Sequence, residues 1–188
     1  NQVDPESIRR HPPEVRVRVF VSYAHLDMEL KEKFDVNLTI LSHQKLIEPW
    51  TDKRIKGGED WNEVIQRNER QADLIIFLVS RYFLASEYIR IHEIPVALER
   101  LEEGAVIVPI ILHRYDGWKH EPDWGGLQPL PEWGKSIEDY DTAEKGFDVA
   151  DAELRKVIKG VAAKLKTSQR DEVIARPRRS ISLKPMPF

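Results

Sequence analysis

The sequence predicts an α/β domain: a doubly wound parallel sheet of about five strands with helices on both faces. Two observations predict it. Short apolar, β-branched runs alternate along the chain with longer amphipathic stretches. Two of the runs, DLIIFLVS (Asp73 to Ser80) and AVIVPIIL (Ala105 to Leu112), are apolar almost throughout, as strands covered on both faces are.

Each element follows in order. VRVFVSY (Val17 to Tyr23) reads as the first strand. Leu26 to Gln44 carries Leu30, Phe34, Leu38 and Leu41 at helical spacing, with Asp27 placed to cap it. KLIEPW (Lys45 to Trp50) is a short second strand, and Thr51 to Asp60 a charged loop. Trp61 to Ala72 is a helix with Asp60 as its cap. After the buried third strand comes SEYIRIHEIPVALER (Ser86 to Arg100), a helical segment interrupted by Pro95. Pro109 lowers the strand character of the fourth run, because it cannot donate to a ladder. A Trp-, Gly- and Pro-rich loop spans His113 to Gly134, a short strand is expected near Ser136, and a last helix runs from Phe147 to Leu165. The domain thus covers 16–166. Residues 1–15 read as an arm or linker, and 167–188 as a basic linker holding Pro177, Pro185 and Pro187.

Proline disfavours α geometry in the residue before it and is tolerated in a first helical turn. The regular helix is therefore expected either to start near Pro95, with Glu93 at its amino end, or to start near Ala85 and kink. Ile94, Ala97, Leu98 and Leu101 would face the core, with Glu93 beside them. Spacing alone favours reading Glu93 as a solvated surface charge. In doubly wound sheets ligands sit beyond the carboxyl ends of the strands. Ser22, Tyr23 and Ala24, at the end of the first strand, flank that crevice.

Composition narrows the function classes. Charged residues make up 32% and the net charge is −3, which argues against direct nucleic-acid binding. No apolar run approaches the roughly 18 residues that span a bilayer. No signal peptide is visible, cysteine is absent, and the chain begins at Asn1, so a cytoplasmic piece of a longer protein is expected. There is no G-x-G-x-x-G, Walker loop or G-x-S-x-G. HEIPV opens like H-E-x-x-H but has Val96 where the second His belongs, so no metal site is expected. Any chemistry must use a carboxylate.

Several segments together resemble a TIR domain of the bacterial type. VFVSYAHLD is similar to the family's opening strand and IEPWTDKRIKGGEDW to its second strand, loop and next helix start. ADLIIFLVSRYFLASEYIRIHEIPVALE resembles the third strand and the Ser-x-Tyr…Glu segment after it. VIVPIIL and LQPLP also fit, so the likeness spans about 17–165. It implies a flavodoxin-like sheet. It also implies, as in many members, cleavage of the nicotinamide–ribose bond of NAD+ by one glutamate, which by motif position is Glu93. NAD+ is then a substrate, with no cofactor required. Activation by self-association through TIR–TIR contacts is implied, with the loop Thr51 to Asp60 as an interface element, in a signalling or defence effector fused to or partnered by a sensor. An open heterologous contact would give a filament. The alternative is a non-catalytic TIR adaptor, which needs no glutamate. A receiver domain of similar topology would need an acidic pair where Ser22, Tyr23 and Ala24 stand.

One acid can suffice for that reaction. Glycosidases use two carboxylates because the leaving oxygen needs a proton. The pyridinium of NAD+ leaves as neutral nicotinamide, so only the oxocarbenium-like ribose needs stabilising, which one anion in a water-poor pocket supplies. The remaining candidates keep two readings each. Trp50 stacks on a ring of the substrate or closes the sheet edge. Asp52 orients ribose or holds a turn. Arg54 and Lys56 meet the pyrophosphate or are solvated. Trp61 contacts substrate or packs at a helix start. Ser86 bonds Glu93 or ribose, or caps a helix.

Overall fold

Side-chain alternation within the strands decides the layering. The computed structural model of the chain describes residues 15–49 and 61–175. Its strands are β1 (Val17–Tyr23), β2 (Ile47–Pro49), β3 (Leu74–Val79) and β4 (Val106–Ile111), all parallel, in the order β2-β1-β3-β4. The helices are α1 (Met28–His43), α2 (Trp61–Gln71), α3 (Arg81–Ala85), α4 (Ile94–Glu102) and α5 (Ala143–Ala175). Val17, Val19, Val21, Ile76 and Leu78 face one side, against Phe34, Leu38 and Leu41 of α1 and Leu154 and Ile158 of α5. Phe20, Ile75, Phe77 and Val79 face the other, against Ile65 of α2, Phe83 of α3 and Ala97 of α4. Each fully buried side chain of this size contributes about 1.5–3 kcal/mol. The doubly wound α/β class is therefore as expected, with four strands in the sheet among the described residues.

A fifth strand is reduced to one bridge, Leu130 beside Ile110. Leu130 N–H donates to the Pro109 carbonyl (2.8 Å), and Ile111 N–H donates to the Leu130 carbonyl (2.9 Å). Odd-numbered residues of β4 thus aim their backbone groups at this edge, so the missing N–H of Pro109 falls where no neighbouring strand requires it. The strand expected near Ser136 is instead a 3₁₀ turn, Ile137–Asp139, closed by a reciprocal capping box between Ser136 and Asp139. Asp27 sits at the amino end of α1 but makes no capping bond. The last helix begins before Phe147 and runs past Leu165 to Ala175, into the segment read as a linker. The apolar stripe stops near Leu165, whereas the first helix-breaking residue beyond it is Pro177.

Helix α1 ends in a Schellman turn. Leu46 N–H bonds the Leu41 carbonyl (3.1 Å), Lys45 N–H bonds that of Ser42 (2.9 Å), and Lys45 takes φ 59°. A non-glycine residue there carries a left-handed penalty of roughly 1 kcal/mol. Lys45→Gly is expected to raise stability by about 0.5 kcal/mol after its own unfolded-state entropy is counted, readable as a small rise in the urea midpoint with an unchanged slope.

Candidate active site

The helical segment carrying Glu93 is built around Pro95. Glu87 and Tyr88 are already helical, Ile89–Glu93 form a π turn, and α4 continues from Ile94 with Pro95 in its first turn. Ile94 N–H reaches back five residues to the Ile89 carbonyl. Proline has no N–H, and its ring crowds the carbonyl four residues earlier. Widening the preceding turn relieves both, and π turns of this kind recur at functional sites. The segment is thus closer to the long interrupted helix than to a free helix start at Pro95. The Ile94 N–H beside Glu93 is engaged in the π turn.

What holds Glu93 is β1. Ser22 Oγ donates a hydrogen bond to Glu93 Oε2. Glu93 is only 6% exposed and Ser22 1%. They meet beneath a cleft of about 240 Å³ lined by Tyr23, the last residue of β1, Ala24 and His25 after it, Ile65 of α2, and Ser86, Tyr88 and Glu93. This is the carboxyl end of the sheet, where the topology places ligands. Of the sequence candidates, Ser22, Tyr23, Ala24, Ser86 and Glu93 come together here. Ser86 Oγ accepts the Ile89 N–H (3.3 Å) and so caps the helical segment that begins at Glu87. Tyr23 turns its hydroxyl toward Met28 Sδ (3.7 Å), with Lys31 Nζ 5.2 Å from its ring centre. Trp61 begins α2. Trp50, Asp52, Arg54 and Lys56 lie outside the described residues, as does the loop expected to carry interface contacts.

A second buried acid carries no motif in the sequence. Glu69 on α2 has no exposed surface, and among the described residues neither of its carboxyl oxygens has a hydrogen-bond partner. Burial first, and then the charge of Glu93, push its pKa up to about 9, against a smaller opposing pull from Arg70. It is a neutral acid at neutral pH. The signal in the sequence is positional: Ile65, Glu69 and Ala72 stand at i, i+4 and i+7, on the stripe that α2 buries.

Asp27 has a role other than capping. It is buried, and its Oδ2 accepts from Ser80 Oγ (2.5 Å), while Ser80 Oγ accepts the N–H groups of Tyr82 and Phe83 (both 3.0 Å) to cap α3. Burial raises the Asp27 pKa despite the Ser80 bond and nearby His113, whose Nε2 lies 3.9 Å from Asp27 Oδ1. This chain ties the ends of β1 and β3 together beside the cleft. Trp124, from the Trp-, Gly- and Pro-rich loop, is a core residue, edge-on to Phe77 at 5.4 Å. Among the described residues no group of His, Asp and Glu could hold a metal ion, and no helix is long and apolar enough to cross a membrane.

The comparisons agree with the fold. Residues 19–148, more than half of the chain, match the TIR domain family. The chain is also 38% identical over 130 residues to the uncharacterized protein y4lF of Sinorhizobium fredii (strain NBRC 101917 / NGR234). That match covers 69% of this chain and 40% of the relative, so the chain spans well under half of the relative's length. With its parallel sheet and this match over most of its length, the chain belongs to the TIR domain family, in its bacterial form.

Proposed function

We propose that this domain is an NAD+ glycohydrolase in which Glu93 is the catalytic residue. The observation that carries the reading is a carboxylate buried to 6% exposure yet lining a cleft at the carboxyl end of the sheet. Glutamates are almost never this buried unless paired, and an acid withdrawn from water in a cleft is a functional-site candidate. In the reaction the C1′–N1 bond breaks, its electron pair neutralises the pyridinium, and nicotinamide leaves. Water adds to C1′ and releases a proton, giving ADP-ribose. Glu93 stabilises the positive charge that develops on the ribose. The Ser22 hydroxyl fixes the carboxylate in place, since a donor to an ionised acceptor makes a strong, directional bond. Tyr23, Ala24 and Ser86 shape the wall against which the substrate rests. Trp50, Asp52, Arg54, Lys56 and Trp61 are proposed to complete the substrate contacts from the following loop and helix start, and self-association is proposed to bring the site to its active form, in a signalling effector.

The test is concentrated protein incubated with NAD+, with free nicotinamide followed by chromatography. Release by the wild-type chain and its loss in Glu93→Gln support the enzyme. Equal release by both refutes the role of Glu93, and no release under crowding favours the adaptor. Ser22→Ala removes one charge-assisted bond, commonly about 1.5–3 kcal/mol. It is expected to lower nicotinamide release roughly 10- to 100-fold while Glu93 remains present, read from kcat in the same assay.

A further inference from the structure

Glu69 has no part in the reaction as drawn, yet it is buried under the site. Ile65 lines the cleft, and Glu69 is four residues further along the same face of α2. Helical side chains lean toward the amino end, so Glu69 leans toward Ile65 and the cleft floor. Helix α2 packs there against β1, α4 and the π turn that carries Glu93. Charged groups on those elements are mostly committed elsewhere. Arg18, the charged residue of β1, binds Asp73 through Nε (3.0 Å) and Nη2 (2.8 Å). On α4, Glu99 pairs with Arg70 (2.8 Å), while Arg100 binds the Ala72 carbonyl through Nη2 (2.9 Å) and also Glu103. Glu102 of α4, like Arg90 and His92 of the π turn, is exposed. Glu93 remains as the charge that acts on Glu69 most strongly, ahead of Arg70.

We propose that Glu69 and Glu93 form a coupled carboxyl pair carrying a single negative charge, with Glu69 as its protonated member and as a positioning residue for Glu93. A second anion in this position would be buried without donors and would face the first. While protonated, Glu69 lets α2 pack flat against the π turn and leaves Glu93 as the carboxylate of the cleft. Once ionised, it repels Glu93 and must find water, which requires α2 to move from the floor. The cleft therefore holds its shape only below the titration of Glu69. The catalytic consequence rests on the glycohydrolase reading; the carboxyl pair does not.

The experiment uses the full chain labelled with ¹³C at glutamate carboxyls and titrated by NMR, the Glu69 resonance being the one lost in Glu69→Gln. Its midpoint is expected well above those of the other glutamates, and to fall by about one pH unit or more in Glu93→Gln. A Glu69 midpoint in the ordinary range, or a high one that Glu93→Gln leaves unmoved, overturns the pair. In parallel, nicotinamide release is followed against pH. The wild type is expected to lose activity on the alkaline side with the Glu69 midpoint, and Glu69→Gln to lack that limb. The same limb in Glu69→Gln overturns the positioning role. If no nicotinamide is released at any pH while both NMR results hold, the glycohydrolase reading fails, the positioning role for that chemistry falls with it, and the carboxyl pair stands. Should Glu69→Gln fold poorly, Glu69→Met supplies the assignment and the pH profile.

Discussion

Glu93→Gln is expected to lower nicotinamide release at least 10²- to 10³-fold, the loss typical when one preorganised stabilising group is removed. The substitution changes charge and almost nothing else. The amide has the shape of the carboxyl and keeps an oxygen that can accept from Ser22 Oγ. What disappears is the anion facing the developing charge of the ribose. The same change also removes a buried anion, whose withdrawal from water opposes folding. Inactivation should therefore come with a thermal midpoint that is equal to or above that of the wild type. That combination separates a chemical loss from an unfolding loss, since a variant that dies by losing its fold melts lower. Measuring kcat and the melting midpoint on one preparation checks both halves. A variant that keeps wild-type kcat would show that the buried carboxylate is not the working group.

Much of this site is legible in the amino-acid sequence. Ser22, Tyr23 and Ala24 follow from the topology, because a first strand that is central ends at the crevice. Glu93 follows from the order of motifs, and no periodicity singles it out. The segment around Pro95 shows where local rules stop. A residue-by-residue reading offers a helix start or a kink, and the chain takes a π turn, which satisfies the proline by shifting one hydrogen-bond register. Ser136-Ile-Glu-Asp139 carries its own correction. A Ser followed three residues on by an acid is a capping signature and speaks against a strand there. The end of α5 escapes the pattern because an apolar stripe marks where a helix packs, not where it ends. Glu69 is easily missed because it sits in NERQA, a run that looks solvated. Only its phase relative to Ile65 and Ala72 shows that the helix turns it inward, and only tertiary packing shows that no donor among the described residues meets it there.

The phase of Glu69 has a thermodynamic signature of its own. Its carboxyl has an ordinary value of 4.5 and is pushed up to about 9 in the folded chain, chiefly by burial. Below the ordinary value both states hold the proton and the group does not oppose folding. As pH rises the unfolded chain ionises first, so folding must take up a proton, and stability falls by about 1.4 kcal/mol per pH unit. Relative to acid conditions this amounts to roughly 3 kcal/mol by pH 7, and the loss levels off only above the folded value. Other carboxyls tilt the opposite way. Asp139, held down to about 2 first by the Arg114 side chain and then by the Ser136 N–H, contributes stability that is present above its ordinary value and lost as pH falls. Asp27, raised by burial, acts in the same direction as Glu69. The informative quantity is thus the difference between wild type and Glu69→Gln, in which these shared terms cancel. That difference should grow in favour of the variant from near pH 4, reaching roughly 6–12 °C in melting midpoint at pH 7 for a domain of this size. The buried amide of the variant adds an offset, but one that does not vary with pH. A difference flat from pH 4 to pH 9 would mean that Glu69 ionises as easily folded as unfolded, and that the floor of the cleft carries two charges instead of one.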